Sequence, residues 1–285
     1  MLRAGGLPWF ESVVNSFSTA GTGGFATKID GMVSYTPYSQ NVISVFLILF
    51  GINFNLYYLI LIGKLRAVFK STELWAYLGI AAASVAVIAA NIFSIYQNVA
   101  DSLRYSFFQV ASIMTTAGFA SANFDLWPGL SKGILLLLMC IGACAGSTAG
   151  GIKVSRVVIF YKLIVREFRR MLHPRSVSAV KFEGKAVDDQ VLNSVATYFA
   201  IYMLCGAVAF LAISFEPFGF ETNFSAVIAT FNNIGPGFSA VGPMGGYGDY
   251  SIFSKLVFSF LMLLGRLEIF PLIIALSPST WKKSR

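Results

Sequence analysis

A chain of 285 residues that is 56% hydrophobic and only 12% charged is not built for water alone, since soluble domains carry roughly a quarter charged residues. Its net charge of +8 sits in separate loops between apolar runs, a placement that argues against nucleic acid. A single histidine, His173, leaves little for acid–base catalysis, and Cys140, Cys144 and Cys205 form no CxxC pair, which makes them small core residues rather than metal ligands or a disulfide framework.

The opening residues MLRAGGLPWFES place a proline and a glutamate where a signal peptide has its apolar core, so none is expected. A short apolar helix is predicted over residues 8–17, running into the loop STAGTGGFAT and a tip with Asp30 and Pro37. An apolar span over 41–63 follows, then Lys64, Arg66 and Lys70, and a second span over 74–93. A polar link with Asp101 and Ser102 leads to a short helix over 103–114, the loop TTAGFAS, and a tip with Asp125 and Pro128. The third apolar run, 131–145, is interrupted by GACAGSTAGGIK and resumes over 152–165. The stretch KLIVREFRRMLHPRSV (162–177) alternates apolar and basic positions at helical spacing, as in a juxtamembrane helix that meets anionic headgroups. Asp188 and Asp189 stand as cap and first-turn acid ahead of a span over 191–214. Glu216 and Pro217, a short segment 224–231, NNIGPGFSAVGP, the tip GGYGDY and a last span over 251–276 complete the chain. That last span holds Arg266 and Glu268, charges that are costly inside a bilayer and usually functional, and Pro271, which would bend it.

The order span, short helix, glycine loop, span therefore occurs twice in full and once without its first span. A helix of about 10 to 12 residues covers only about 15 to 18 Å, too little for a bilayer core of about 30 Å, so it re-enters and carries its loop to membrane depth. Irregular backbone is tolerated there only when buried in protein or lining a water-filled cavity. Glycine at positive φ can turn carbonyls inward, carbonyls can replace the hydration shell of a cation, and the helices point their negative ends at the same place. The predicted ion filter is Thr22, Gly23 and Gly24, then Thr116, Ala117 and Gly118, then Asn233, Ile234 and Gly235. Lysines and arginines mark the cytoplasmic side, which places the glycine loops outward and the C-terminus inside.

STAGTGGF, TTAGF, GACAGSTAGGIK, NNIGPGFSAVGP and GRLEIFPLIIALSPSTW together resemble the TrkH/KtrB family of bacterial potassium transporters, its TrkH branch in particular, over nearly the whole chain. The resemblance implies an all-α polytopic inner-membrane protein made of span, pore helix, span units around one pore. About two and a half of the family's four units are present: residues 1–70 as a partial second unit, 71–187 as the third and 188–285 as the fourth. An N-terminally truncated chain is expected on that ground. The resemblance further implies potassium as the transported ion with no covalent cofactor, and a gate formed by Gly146, Ser147, Thr148, Ala149, Gly150 and Gly151 with Lys153 and the pore-facing Arg266. It implies a homodimer and a cytosolic TrkA-like nucleotide-binding regulatory subunit docking at the basic helix. A glycine hinge at 142–153, and an ion pair of Glu268 with Lys153, are the simpler readings of those motifs. A non-conducting fragment and a substrate-coupled secondary transporter stay open as alternatives, as does the coupling ion.

Overall fold

The computed structural model describes residues 1–28, 30–174, 179–267 and 269–276. Glu268, part of the basic stretch (175–178) and the basic tail with Lys282, Lys283 and Arg285 lie outside the described residues. In chain order the helices are α1 (Trp9–Ala20), α2 (Pro37–Phe50), α3 (Phe54–Leu61), α4 (Leu65–Phe69), α5 (Thr72–Tyr96), α6 (Val99–Met114), α7 (Gly129–Cys140) and α8 (Val154–Leu172). A hairpin of β1 (Lys181–Phe182) and β2 (Lys185–Ala186) precedes α9 (Asp189–Ile213), α10 (Phe220–Phe231), α11 (Ile252–Leu267) and α12 (Ile269–Leu276). The hairpin is a small departure from the all-α expectation.

The expected spans divide into two kinds. Helices α5 and α9, 25 residues each, reach about 37 Å and are apolar enough to cross a bilayer unbroken. Ser71 starts the first by accepting from Leu74 N, and Asp188 starts the second by accepting from Gln190 N, with Asp189 in the first turn as expected. The first and third runs, 41–63 and 131–165, are broken. Residues 41–63 are not one straight span: α2 and α3 meet at 86°. The reason lies in the backbone groups at the bend. Gly51 O accepts from Cys144 N and Phe54 N donates to Gly146 O, so the chain turns where the segment between α7 and α8 takes its hydrogen bonds, and Asn53 caps α3 through Asn55 N. Gly51 also lies so close to Tyr77 that a Cβ would stand 2.3 Å from its hydroxyl oxygen. The last run is described as α11 and α12, on either side of Glu268.

The helices that precede the three glycine loops are α1, α6 and α10. Two begin earlier than predicted, α6 at Val99 and α10 at Phe220. In α6 the polar link belongs to the helix because Asn98 caps Ala100 N and Asp101 pairs with Arg104 at 2.7 Å. Helices α6 and α10 are each buried by their own unit, whereas Trp9, Phe10 and Phe17 of α1 are exposed. Tyr77, Ile88 and Ile92 of α5 pack with Ile113 of α6 and Leu135 and Met139 of α7. Tyr202 and Ile213 of α9 pack with Phe231 of α10 and Phe258 and Leu261 of α11. Cys140, Cys144 and Cys205 are free and at least partly buried.

Glu216 anchors α11. Its carboxylate accepts from Ser251 N at 3.1 Å and Ser254 Oγ at 2.6 Å, and the hydrogen bonds from Ser251 and Ser254 hold the carboxyl below the usual carboxylate range. A depressed folded-state pKa stabilises fully above the unfolded value of about 4.3 and is lost as pH falls through the folded value. Thermal unfolding of the detergent-solubilised protein should therefore show a drop in Tm below about pH 4 that is smaller in Glu216→Gln, whose Tm is already lower at neutral pH.

Candidate functional site: three glycine loops over an intramembrane loop

The loops after α1, α6 and α10 share one backbone path. Thr22 N donates to Thr19 O and Gly23 N to Ser18 O, and the same offsets recur as Thr116 N to Ile113 O and Ala117 N to Ser112 O, then Asn233 N to Thr230 O and Ile234 N to Ala229 O. Left-handed backbone recurs two residues apart in each: Thr22 (φ 48°) and Gly24 (70°), Thr116 (56°) and Gly118 (80°), Asn233 (57°) and Gly235 (102°). For β-branched threonine this conformation is strained, while asparagine tolerates it, and its recurrence at three matching positions marks a constraint on the site rather than chance turns.

The loops also touch one another in a cyclic order. A Cβ on Gly24 would stand 1.8 Å from Ala117 O, and one on Gly118 would stand 1.7 Å from Ile234 O. At Gly235 nothing lies within 4 Å. Gly23, which matches Ala117 and Ile234 in position, is exposed like Gly235, whereas Ala117 and Ile234 are buried. The ring of loops is thus closed at two contacts and open between Gly235 and Gly23. Gly24, Gly118 and Gly235 line both an outer cavity of about 230 Å³ and an inner one of about 640 Å³, so they form the neck between the two.

Under the neck lies the interruption between α7 and α8. Gly142 N bonds Ile152 O and Val154 N bonds Ala143 O, which pinches residues 144–151 into a closed loop. That loop is tied to the neck from below. Thr148 O accepts from Thr22 Oγ1 at 3.1 Å and from an Arg266 guanidinium nitrogen at 2.9 Å, and Gly150 N donates to Thr116 Oγ1 at 2.7 Å. The loop after α10 also packs against it: a Cβ on Gly150 would stand 3.0 Å from Asn232 O, and one on Gly151 3.1 Å from Asn232 Oδ1. The Lys153 ammonium folds back onto Ala149 O, and Ala149 is buried.

Arg266 reaches this position because Gly265 lets α11 approach the end of α10, where a Cβ would stand 1.8 Å from Phe231 O. Asn233 Nδ2 donates to Met262 O at 3.0 Å across the same contact. All the residues expected at the filter and the gate are therefore brought together, with Gly146 and Ser147 on the far side of the loop, where Gly146 O receives Phe54 N and Ser147 Oγ bonds Cys144 O. Sequence reasoning missed two contributors. Glu73, 5% exposed, accepts from Ala145 N at 2.7 Å and Ser155 N at 3.2 Å, at the two feet of the loop. Asn53 stands 3.1 Å from where a Gly146 Cβ would lie. The signal for Glu73 was a carboxylate at the start of an apolar run, which reads equally well as an ordinary first-turn acid.

A family model described as TrkH, a cation transport protein, matches residues 1–283. The chain is 34% identical over 283 residues to the Trk system potassium uptake protein TrkH of Salmonella typhimurium, covering 98% of this chain and 58% of that protein. It is 35% identical over 283 residues to the protein of the same name from Vibrio parahaemolyticus, covering 97% and 58%. The crystal structure of the potassium transporter TrkH from Vibrio parahaemolyticus matches with a TM-score of 0.91 at 34% identity, over 99% of this chain and 61% of that one. The chain thus spans about 58% of the length of these curated relatives.

Proposed function

The chain belongs to the TrkH family of cation transport proteins, and we propose that it forms three sides of a potassium uptake pathway through the bacterial inner membrane. The observation that carries this is the cyclic contact of three loops with matching left-handed residues around one neck. Loop carbonyls replace hydration water in the neck, and the helix C-termini of α1, α6 and α10 add partial negative charge. Specificity for potassium is taken from the names of the relatives. The open side between Gly235 and Gly23 takes a fourth loop from residues outside these 285.

Residues 146–151, with Lys153 and Arg266, close the path from below, and displacing them opens it. The protein acts by binding and passage, without covalent catalysis. Residues 1–70, 71–187 and 188–285 each supply one side. The side bearing Lys64, Arg66, Lys70 and the basic positions of α8 faces the cytosol, with the C-terminus. A homodimer, and a cytosolic nucleotide-binding regulator engaging the basic α8 face, are expected from the family.

The test is growth at limiting potassium of a bacterial strain without its own uptake systems. It expresses a ring-complete protein, this chain preceded by the first unit and the opening span of the second from the Vibrio parahaemolyticus relative. Rescue that disappears with Gly118→Asp is the expected result. Rescue indifferent to Gly118→Asp, or none despite confirmed membrane insertion, would count against the proposal.

A further inference from the structure

The hairpin between α8 and α9 turns through two residues, Glu183 (φ 48°) and Gly184 (φ 76°). Two consecutive positive φ values define the turn that favours Asn-Gly, so a glutamate in its first position is held there against its preference. What it gains is visible in its carboxylate. Glu183 Oε1 accepts from Ser71 Oγ and from Glu73 N, each at 3.0 Å, and both donors lie at the start of α5, more than a hundred residues away in sequence. The hairpin itself is seated on the protein. Lys162 Nζ donates to Lys181 O at 2.8 Å, and Val180 packs with Ile159, Leu192 and Val195, with Phe182 and Val187 against them.

From Glu73 the chain of contacts continues inward. Its buried carboxylate takes Ala145 N and Ser155 N on one oxygen, which clamps both feet of the intramembrane loop and caps the otherwise uncapped start of α8. Hydrogen bonds from amides to a carboxylate are about twice as strong as neutral ones. One turn further along the same face, Tyr77 donates to Ile48 O at 3.1 Å, beside the bend between α2 and α3. The first two turns of α5 thus meet both broken spans.

We propose that Glu183 and Glu73 are positioning residues that couple the hairpin to the loop closing the neck. The seat of the hairpin sets Glu183, Glu183 sets the first turn of α5, and Glu73 carries that position to both feet of the loop. Lifting the hairpin, for instance by an acidic partner surface engaging the exposed Lys181 and Lys185, draws Glu73 away and frees the loop. The coupling rests on the reading of residues 146–151 as a gate, and its test separates the two.

Glu183→Asn is the decisive variant. Asparagine suits this turn better than glutamate and keeps the hairpin folded, but its shorter side chain does not reach Ser71. In hydrogen exchange of the 285-residue protein, the segment 141–156 should exchange roughly ten- to a hundredfold faster than in wild type, the change expected from losing one charge-assisted hydrogen bond. Glu73→Gln should do the same directly, and rubidium uptake by the ring-complete Glu183→Asn protein should rise by a similar factor. Faster exchange confined to the start of α5, or spread equally through α9, would overturn the coupling. Faster exchange at 141–156 without uptake in wild type or variant would keep the coupling and overturn the transport reading.

Discussion

Gly118→Ala is expected to reduce rubidium uptake by the ring-complete protein on the order of 100-fold, what roughly 1 Å of misplacement costs at a site held by geometry. The added Cβ would stand 1.7 Å from Ile234 O, and Cβ contacts below 3.0 Å essentially never occur, so the neighbouring loop has to move. Neither partner is a flexible side chain that swings aside. Left-handed strain at φ +80° adds about 1–2 kcal/mol. Gly24→Ala meets Ala117 O in the same way at 1.8 Å and should behave alike. Gly235→Ala separates two effects. In the 285-residue chain it meets nothing within 4 Å, so thermal unfolding should show about 1 kcal/mol of loss, against about 2–4 kcal/mol for the other two. In the ring-complete protein, where a fourth carbonyl comes against Gly235, uptake should fall as far as in Gly118→Ala. Equal stability losses for all three in the isolated chain would mean that the open side of the ring is not real.

Arg266→Gln should raise uptake about tenfold or more. The side chain acts on the pathway twice, as a hydrogen-bond donor holding Thr148 O and as a cation lining the inner cavity. A unit charge about 6 Å from a passing cation costs about 3 kcal/mol at an effective dielectric of about 20, and one tie to the closing loop contributes about 1 kcal/mol. Arg266→Lys keeps the charge and loses the planar donor geometry, so its rise should be several times smaller. The pair is read by rubidium flux into proteoliposomes. Equal gains from Gln and Lys would assign the effect to the tie to Thr148 alone.

The glycine loops were legible because their signal is compositional and repeated: STAGTGGF, TTAGF and NNIGPGF each follow a helix too short to span. The interruption at 142–153 was legible for the same reason, four glycines inside an apolar run. The bend at Gly51 was not. GINFN contains no proline and one glycine, and what breaks the helix there is a set of hydrogen bonds to Cys144 and Gly146 that exist only once the units are assembled. Glu73 and Glu183 escaped notice for a related reason. Each looks like a local acid, one in a first turn and one in a charged loop, and their roles arise from partners 72 and 112 residues away. Periodicity finds elements, and contacts between irregular segments have no periodicity to find.

Thallium, a heavy monovalent cation, soaked into crystals of the ring-complete protein tests the central claim most directly. The account predicts anomalous density on the axis of the neck, among the backbone carbonyls of the loops that bear Gly24, Gly118 and Gly235, and its loss in Gly118→Ala. Density confined to other sites while uptake persists would contradict it, because the ions would then be crossing by a path that does not pass the three glycines.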